Sequence, residues 1–392
     1  MAATHGFVFD CFLGHAFAYK PETVIVVKDS GSILIYRLGS LGDTVVVLPA
    51  LRIVAHAFAR ERRLVLTNFN VSRKTAPMAA VLEGTGLVHG YIEYPVGLRN
   101  PRNLLELRQR IRGESVHTLV DLTEPRGLWH AWRDLIFFRA CGIRHFIGAP
   151  YSLSAQRSRR VSGNLYESQA AALVRRVARL GEARVEDAAS FDLGFTAEEH
   201  AQAAAILGPL AGRAFIAVSV GAKVDVKDWE DARWRPLLAE LARRYPAHGL
   251  VALGSADEAA RCEILCAPWH GRFVNACGKL AVRGSGAVLA RCAVFIGHDS
   301  GPMHLAAAAG ARCVAVFASR NLPGEWFPSG HGHRVLYRAM SCQGCRRDVC
   351  EDRQKACIRS ITVDEVLDAV GACMTALPVV RQPATASLSA GA

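Results

Sequence analysis

The run Arg37-Leu38-Gly39-Ser40-Leu41-Gly42-Asp43 stands between a strand-like stretch and a helix-like one. Gly39 and Gly42 let the backbone turn tightly and come close to a ligand, and the carboxylate of Asp43 suits either the helix N-cap or a catalytic base at a cleft. Both readings stand. The glycine spacing is not G-x-G-x-x-G and the acidic ribose partner is missing, which disfavours a nicotinamide enzyme. Further on, the buried-strand run Val294–Gly297 leads into His298-Asp299-Ser300-Gly301-Pro302-Met303-His304 and an alanine-rich helix ending at Gly310. Ser300 suits the N-cap and Gly310 the left-handed terminator. Such a helix start after a parallel strand offers free backbone donors to phosphate. Asp299 would repel a phosphate and suits sugar hydroxyls. His304 reads equally as a half-buried histidine or a ligand contact. Lys223 and Lys227, in the loop from Val220 to Trp229, are either solvated cations or counter-charges for a diphosphate leaving group. Finally, Cys342, Cys345, Cys350 and Cys357 lie among Arg346, Arg347, Arg353 and Lys355. Four thiols at that spacing make a candidate structural zinc site, with iron the lesser choice and unmetallated thiols the alternative.

These groups need a scaffold. Runs at Ile33–Tyr36, Leu64–Thr67, His89–Tyr94, Thr118–Leu122 and His145–Ile147 alternate with helical stretches such as Leu104–Ile111, Leu128–Ala140 and Ser168–Leu180. After a lapse between Gly181 and Thr196 the pattern restarts with Phe215–Val220, Leu250–Leu253, Val294–Gly297 and Cys313–Phe317. This predicts two α/β domains with parallel sheets covered on both faces. Pro49 should restart or kink the helix after Asp43. Thr23–Tyr36 reads as a hairpin or as an upstream extension, and Val363–Met374 as a last helix.

The 392 residues are 51% hydrophobic and 21% charged, enough for two cores and too apolar for disorder. No eighteen-residue apolar run and no secretion signal is evident, so a cytosolic chain is expected, and its twelve cysteines read as reduced thiols. A net charge of +12 favours nucleic acid, phosphorylated metabolites or an anionic membrane face without choosing among them.

In order and spacing, these pieces resemble glycosyltransferase family 9, the ADP-heptose:lipopolysaccharide heptosyltransferases. The resemblance runs from about Ser32 to Val370. It rests on Ile33–Arg52, Val120–Thr123, V-G-A-x4-K-D-W ending at Trp229, Leu253–Glu258, Gly297–Ala308, the cysteine cluster and Ile361–Val366. It implies the GT-B architecture, two Rossmann-like domains facing across a cleft. The implied layout is an extension over 1–30, an acceptor domain over 31–190, and a nucleotide-sugar domain over 195–361 holding the cluster at 342–357. A C-terminal helix over 362–377 and a mobile tail over 378–392 follow. By resemblance, Asp43 is the general base, Lys227 contacts the donor's phosphate and sugar, and Asp299 holds donor hydroxyls. Ser300 and Gly301 present donors to the diphosphate, and Asp257 matches an acidic residue near the nucleoside. Two positions depart from the pattern: Lys223 replaces a small hydroxyl residue and Glu230 a proline.

The implied reaction is inverting transfer of heptose from ADP-heptose to a lipopolysaccharide inner-core acceptor, with no catalytic metal, at the cytoplasmic face of the inner membrane. Peripheral contact with anionic lipid is expected and nucleic acid is not. The alternatives are a relative using another nucleotide sugar or a protein acceptor, a nucleotide-sugar epimerase, and a basic metal-binding nucleic-acid module built on the cysteine segment.

Overall fold

Short runs of Val, Ile and Leu, buried on both faces, build two parallel sheets. A computed structural model describes residues 7–10, 31–69, 76–94 and 100–375. Numbering strands along the chain, β2 (Ser32–Tyr36), β3 (Arg62–Thr67), β4 (Gly90–Glu93), β5 (Val116–Asp121) and β6 (His145–Ile147) form an all-parallel sheet in the order β4-β3-β2-β5-β6. Two short strands, β7 (Arg160–Ser162) and β8 (Leu165–Tyr166), pair as a hairpin. The second sheet takes β9 (Phe215–Ser219), β10 (Gly249–Ala252), β11 (Phe273–Asn275), β12 (Val294–His298), β13 (Cys313–Phe317) and β14 (Arg334–Tyr337) in the order β14-β13-β12-β9-β10-β11. In each sheet the strand order reverses once, between β2 and β5 and between β9 and β12, which opens a crevice at the carboxyl ends of those strands.

Three findings go beyond the sequence reading. The strand β1 (Phe7–Asp10), inside the expected N-terminal extension, runs antiparallel to β14 at the edge of the second sheet. Strands β11 and β14 were not expected, because FVN and RVLY are too short to show a period. The helix expected over Ser168–Leu180 is Gln169–Arg176, capped by Ser168, then a break at Val177 and a 3-10 turn. The helix after Asp43 does break as Pro49 suggested, into Leu41–Val46 and Leu48–Ala57. The first arm of the candidate hairpin and the tail over 378–392 lie outside the described residues.

The sheets are not independent bodies. One continuous core takes Ile35, Val45 and Leu51 from the first lobe and Phe295, Met303 and Leu305 from the second. Arg283, buried in the second lobe, donates to the carbonyls of Val81 and Leu193 and pairs with Glu199. This is the GT-B arrangement of two doubly wound lobes facing each other.

Candidate active site

In the first lobe, β2 ends at Tyr36 and the chain turns through Gly39 into the helix Leu41–Val46. Ser40, not Asp43, is the N-cap residue. Asp43 is the third residue of the helix and folds back, its Oδ2 accepting from the Ser40 N–H at 2.7 Å and the Ser40 hydroxyl at 3.1 Å. Its Oδ1 lies 3.3 Å from Arg37 Nη2. Arg37 is fully buried and also donates to the Leu122 carbonyl at 2.8 Å, locking the turn onto the end of β5. Gly39 has φ +145 and a Cβ there would fall 2.3 Å from the Asp43 carboxylate, so only glycine lets the carboxylate take this position. Asn68, which the sequence did not single out, accepts from the Gly39 N–H at 2.8 Å.

In the second lobe, Asp299 and Lys227 come from loops after the adjacent strands β12 and β9. Lys227 Nζ lies 2.8 Å from Asp299 Oδ2 and donates to the Asp299 carbonyl at 3.1 Å. An ammonium has three N–H groups, so one remains for a ligand. Asn321 also donates to Asp299 Oδ2 at 3.2 Å. His298 fixes the geometry from below. Its Nε2 accepts from the Trp229 N–H at 3.1 Å, so Nδ1 carries the proton and donates to the Gly221 carbonyl at 3.2 Å. Burial pushes the His298 pKa down to about 4, keeping it neutral. Ser300 is the N-cap of the helix Gly301–Ala308, and Gly310 adopts φ +81 just past its end, both as expected. The Ser300 hydroxyl turns back to the His298 carbonyl at 3.4 Å and no side chain caps the helix. Pro302 has no N–H and the Met303 N–H donates to the Ser300 carbonyl at 3.1 Å, so of the first three helix residues only Gly301 keeps an N–H for an anion.

The two turns meet. A Cβ on Gly42 would lie 3.0 Å from His304 Cδ2, and one on Gly301 would lie 2.9 Å from the Leu41 side chain, so in each contact a glycine on one lobe makes room for a side chain of the other. His304 is buried at this junction, edge-on to Trp326, with its charged neighbours Asp299, Lys227 and Asp43 drawn from both lobes. Burial lowers its pKa to about 4, and its Nε2 has no hydrogen-bond partner. A buried nitrogen without a partner is uncommon, and this one lies between the base candidate and the donor turn.

Glu124, three residues past β5, was not anticipated. Its carboxyl is solvent-accessible yet hemmed in by both lobes: desolvation raises its pKa, Arg37 lowers it, Asp43 raises it, Arg346 lowers it and Glu325 raises it. Arg346 and Glu325 come from the second lobe, and Ser158 donates to Glu325 at 2.6 Å.

Other expected residues lie apart from this junction. Lys223 is exposed on its loop and takes no part in the Lys227–Asp299 ion pair. Asp257 is exposed, whereas its neighbour Glu258 turns inward over Gly221 and Gly254, where a Cβ would fall 1.4 and 2.1 Å from its carboxylate. Of the four clustered cysteines, Cys357 is packed in the second core and Cys350 against it, while Cys342 and Cys345 are half-buried. Among the described residues no three His, Cys, Asp or Glu side chains converge as a metal would require, so the thiols as placed do not form a ligand set. Polar contacts order the segment: Arg320 donates to the carbonyls of Arg346 and Arg347, and the Asp348 carbonyl accepts from the Val226 N–H at 3.0 Å. The segment thereby braces the loop carrying Lys227.

The sequence profile of glycosyltransferase family 9 (heptosyltransferase) matches residues 137–356. The chain belongs to this family. The match takes in Cys342, Cys345 and Cys350 and stops one residue short of Cys357, so the cysteine segment belongs to the transferase's second lobe rather than to a nucleic-acid module. The fold is similar to that of the glycosyl transferase family 9 from Veillonella parvula DSM 2008, with TM-score 0.66 and 18% identity over 88% of this chain and 98% of that one. It is also similar to E. coli ADP-heptose LPS heptosyltransferase II, with TM-score 0.61 and 17% identity over 88% and 98%. E. coli heptosyltransferase WaaC with ADP gives 0.58 and 15% over 87% and 100%. At these identities the likeness establishes the fold of this family 9 transferase. Lipooligosaccharide heptosyltransferase 2 of Campylobacter jejuni subsp. jejuni serotype O:2 is 24% identical over 94 residues, spanning 24% of this chain and 30% of that enzyme's length.

Proposed function

We propose that this family 9 protein is an inverting glycosyltransferase moving heptose from ADP-heptose to a lipopolysaccharide inner-core acceptor, at the cytoplasmic face of the inner membrane. The observation that carries the reading is the direct packing of the Asp43 turn against the Ser300–Gly301 turn, through Gly42 and His304. Asp43 takes the proton of the acceptor hydroxyl. The oxygen then attacks the anomeric carbon as the bond from that carbon to the diphosphate oxygen breaks. ADP leaves with its charge met by Lys227 and the amino end of the helix Gly301–Ala308. Asp299 holds donor hydroxyls, Glu258 rather than Asp257 offers a carboxylate to the nucleoside end, and Lys223 is a second, mobile cation for the phosphates. The ADP bound to the E. coli WaaC protein and the heptosyltransferase names of the similar proteins support the donor; the +12 charge supports an anionic acceptor surface. Among the described residues no helix is long and apolar enough to cross a membrane, so attachment would be peripheral. A structural zinc on the four cysteines would need them drawn closer together than they are placed, and would support the fold without entering the reaction. One equivalent in anaerobically purified protein would establish that site, and well under one would remove it.

The test is a panel of nucleotide sugars followed by Asp43→Ala. ADP-heptose should be consumed in preference to other sugars, and the variant should lose about a hundredfold or more in turnover while ADP binding by calorimetry survives. A folded variant with near-normal turnover refutes the role of Asp43. Lys223 and Glu230, the two departures from the family pattern, favour a second reading with another nucleotide sugar, which the same panel decides.

A further inference from the structure

The helix Leu128–Ala140 is apolar on both sides. Its inner side lays Ala131 and Phe138 on the first sheet. Its outer side exposes Trp129 (77%), Trp132 (50%) and Ile136 (69%), at a spacing of three and four that places them on one stripe. The following loop continues this face: Tyr151 stacks on Trp132 with ring centroids 5.5 Å apart, Leu153 is exposed, and Gln156 ties the loop to the Gly127 N–H at 2.9 Å. Folding does not require two tryptophans and an isoleucine in water, and a contiguous apolar face of this kind marks an interaction site.

The charges around the face say what it meets. From residue 126 to residue 160 the sequence holds seven arginines, Arg126, Arg133, Arg139, Arg144, Arg157, Arg159 and Arg160, and one acidic residue, Asp134. Asp134 is already paired with Arg126 at 2.7 Å and Arg133 at 2.6 Å. A second copy of the chain brought face to face across a two-fold axis would oppose arginines to arginines. A bilayer with anionic headgroups offers the complement, since tryptophan rings settle at the headgroup level and arginines reach the phosphates while their stems stay in the apolar layer. The face also borders the crevice: Arg126 donates to the Tyr36 hydroxyl at 3.2 Å, next to Arg37, and the helix begins four residues after Glu124.

We propose that the outer face of the helix Leu128–Ala140, with Leu153 and the flanking arginines, docks the protein on an anionic lipid bilayer. Docking there would bring the crevice to the surface where a lipid-linked acceptor presents its sugar, and in that respect the inference rests on the acceptor reading above. The test uses the full chain and vesicles free of lipopolysaccharide, so that lipid docking is read apart from acceptor binding. The protein should sediment with phosphatidylglycerol/phosphatidylethanolamine vesicles, less so as salt rises, and not with phosphatidylcholine alone. W129S/I136S should weaken partitioning by about tenfold or more, with unchanged melting and unchanged turnover on a delipidated acceptor. R157A/R159A should weaken it mainly at low salt. Failure of the unaltered protein to sediment with anionic vesicles, or equal sedimentation of W129S/I136S, overturns the proposal. Loss of a dimer in W129S/I136S with vesicle binding intact also overturns it, in favour of a second copy. Vesicle binding by a protein that transfers no heptose supports the docking face and sinks the transferase reading instead.

Discussion

The Asp43 and Asp299 turns are built alike, each a strand followed by a glycine-bearing turn and a helix, but they are held in different ways. Asp43 is oriented by its own neighbourhood, through Ser40 three residues earlier and Arg37 six residues earlier. Asp299 is oriented by Lys227, 72 residues earlier, and Asn321, 22 residues later, over a histidine sealed in the core. The contacts to the Asp43 carboxylate lie within seven residues, although Arg37 is itself anchored on Leu122, whereas the Asp299 ion pair exists only once the sheet has formed. The Asp299 half of the site should therefore be the half that perturbation reaches first.

Lys227→Ala should show this most strongly. It leaves Asp299 buried without its cation, at a cost of about 3 kcal/mol in stability, and should raise the donor KM by about tenfold or more while the acceptor KM stays put. Denaturant melts and donor kinetics measure both, and unchanged donor kinetics would remove Lys227 from the phosphate site. Acidification probes the same asymmetry. Burial pushes His298, His304 and His333, all in the second lobe, down to about 4. The unfolded chain binds these protons first, near pH 6.5, so stability is complete above about pH 6.5. It then falls by up to about 3 kcal/mol per histidine as the pH drops toward 4. Thermal melts at about pH 7 and pH 5 should differ accordingly, and the absence of a drop would mean that the imidazoles reach water.

Gly42→Ala tests the join between the turns. Its new methyl group meets His304 and should cost about 1–2 kcal/mol, with a loss of turnover in excess of any loss in ADP affinity. A variant with unchanged melting and turnover would show that the lobes meet less closely. The smallest effect is expected from Glu124→Gln, about a fivefold rise in acceptor KM with donor KM constant, as for one ordinary hydrogen bond of about 1 kcal/mol. A change confined to donor KM would move Glu124 to the other side of the crevice.

What could be read from the chain alone follows the same division. The Asp43 turn was legible because its partners are near neighbours, although the cap belongs to Ser40. The buried strands β2, β5, β9 and β12 were legible because a strand covered on both faces is a continuous apolar run. The resemblance pointed to Asp257, and nothing in two adjacent acids says which turns inward; the room above Gly221 and Gly254 decides that it is Glu258. Asn68, Asn321 and Glu124 carry no motif at all and acquire a role only from their neighbours in space.

The order of apolar runs and glycine turns by itself determined two doubly wound lobes and which loops end at their crevices, since burial period and backbone freedom are properties of a few consecutive residues. Only the tertiary structure decided that Gly42 rests on His304, that Lys227 is spent largely on Asp299, and that the segment holding four closely spaced cysteines braces the Lys227 loop through the Asp348 carbonyl. Those outcomes depend on desolvation and on charges far apart in sequence, which take effect when the lobes close on one core.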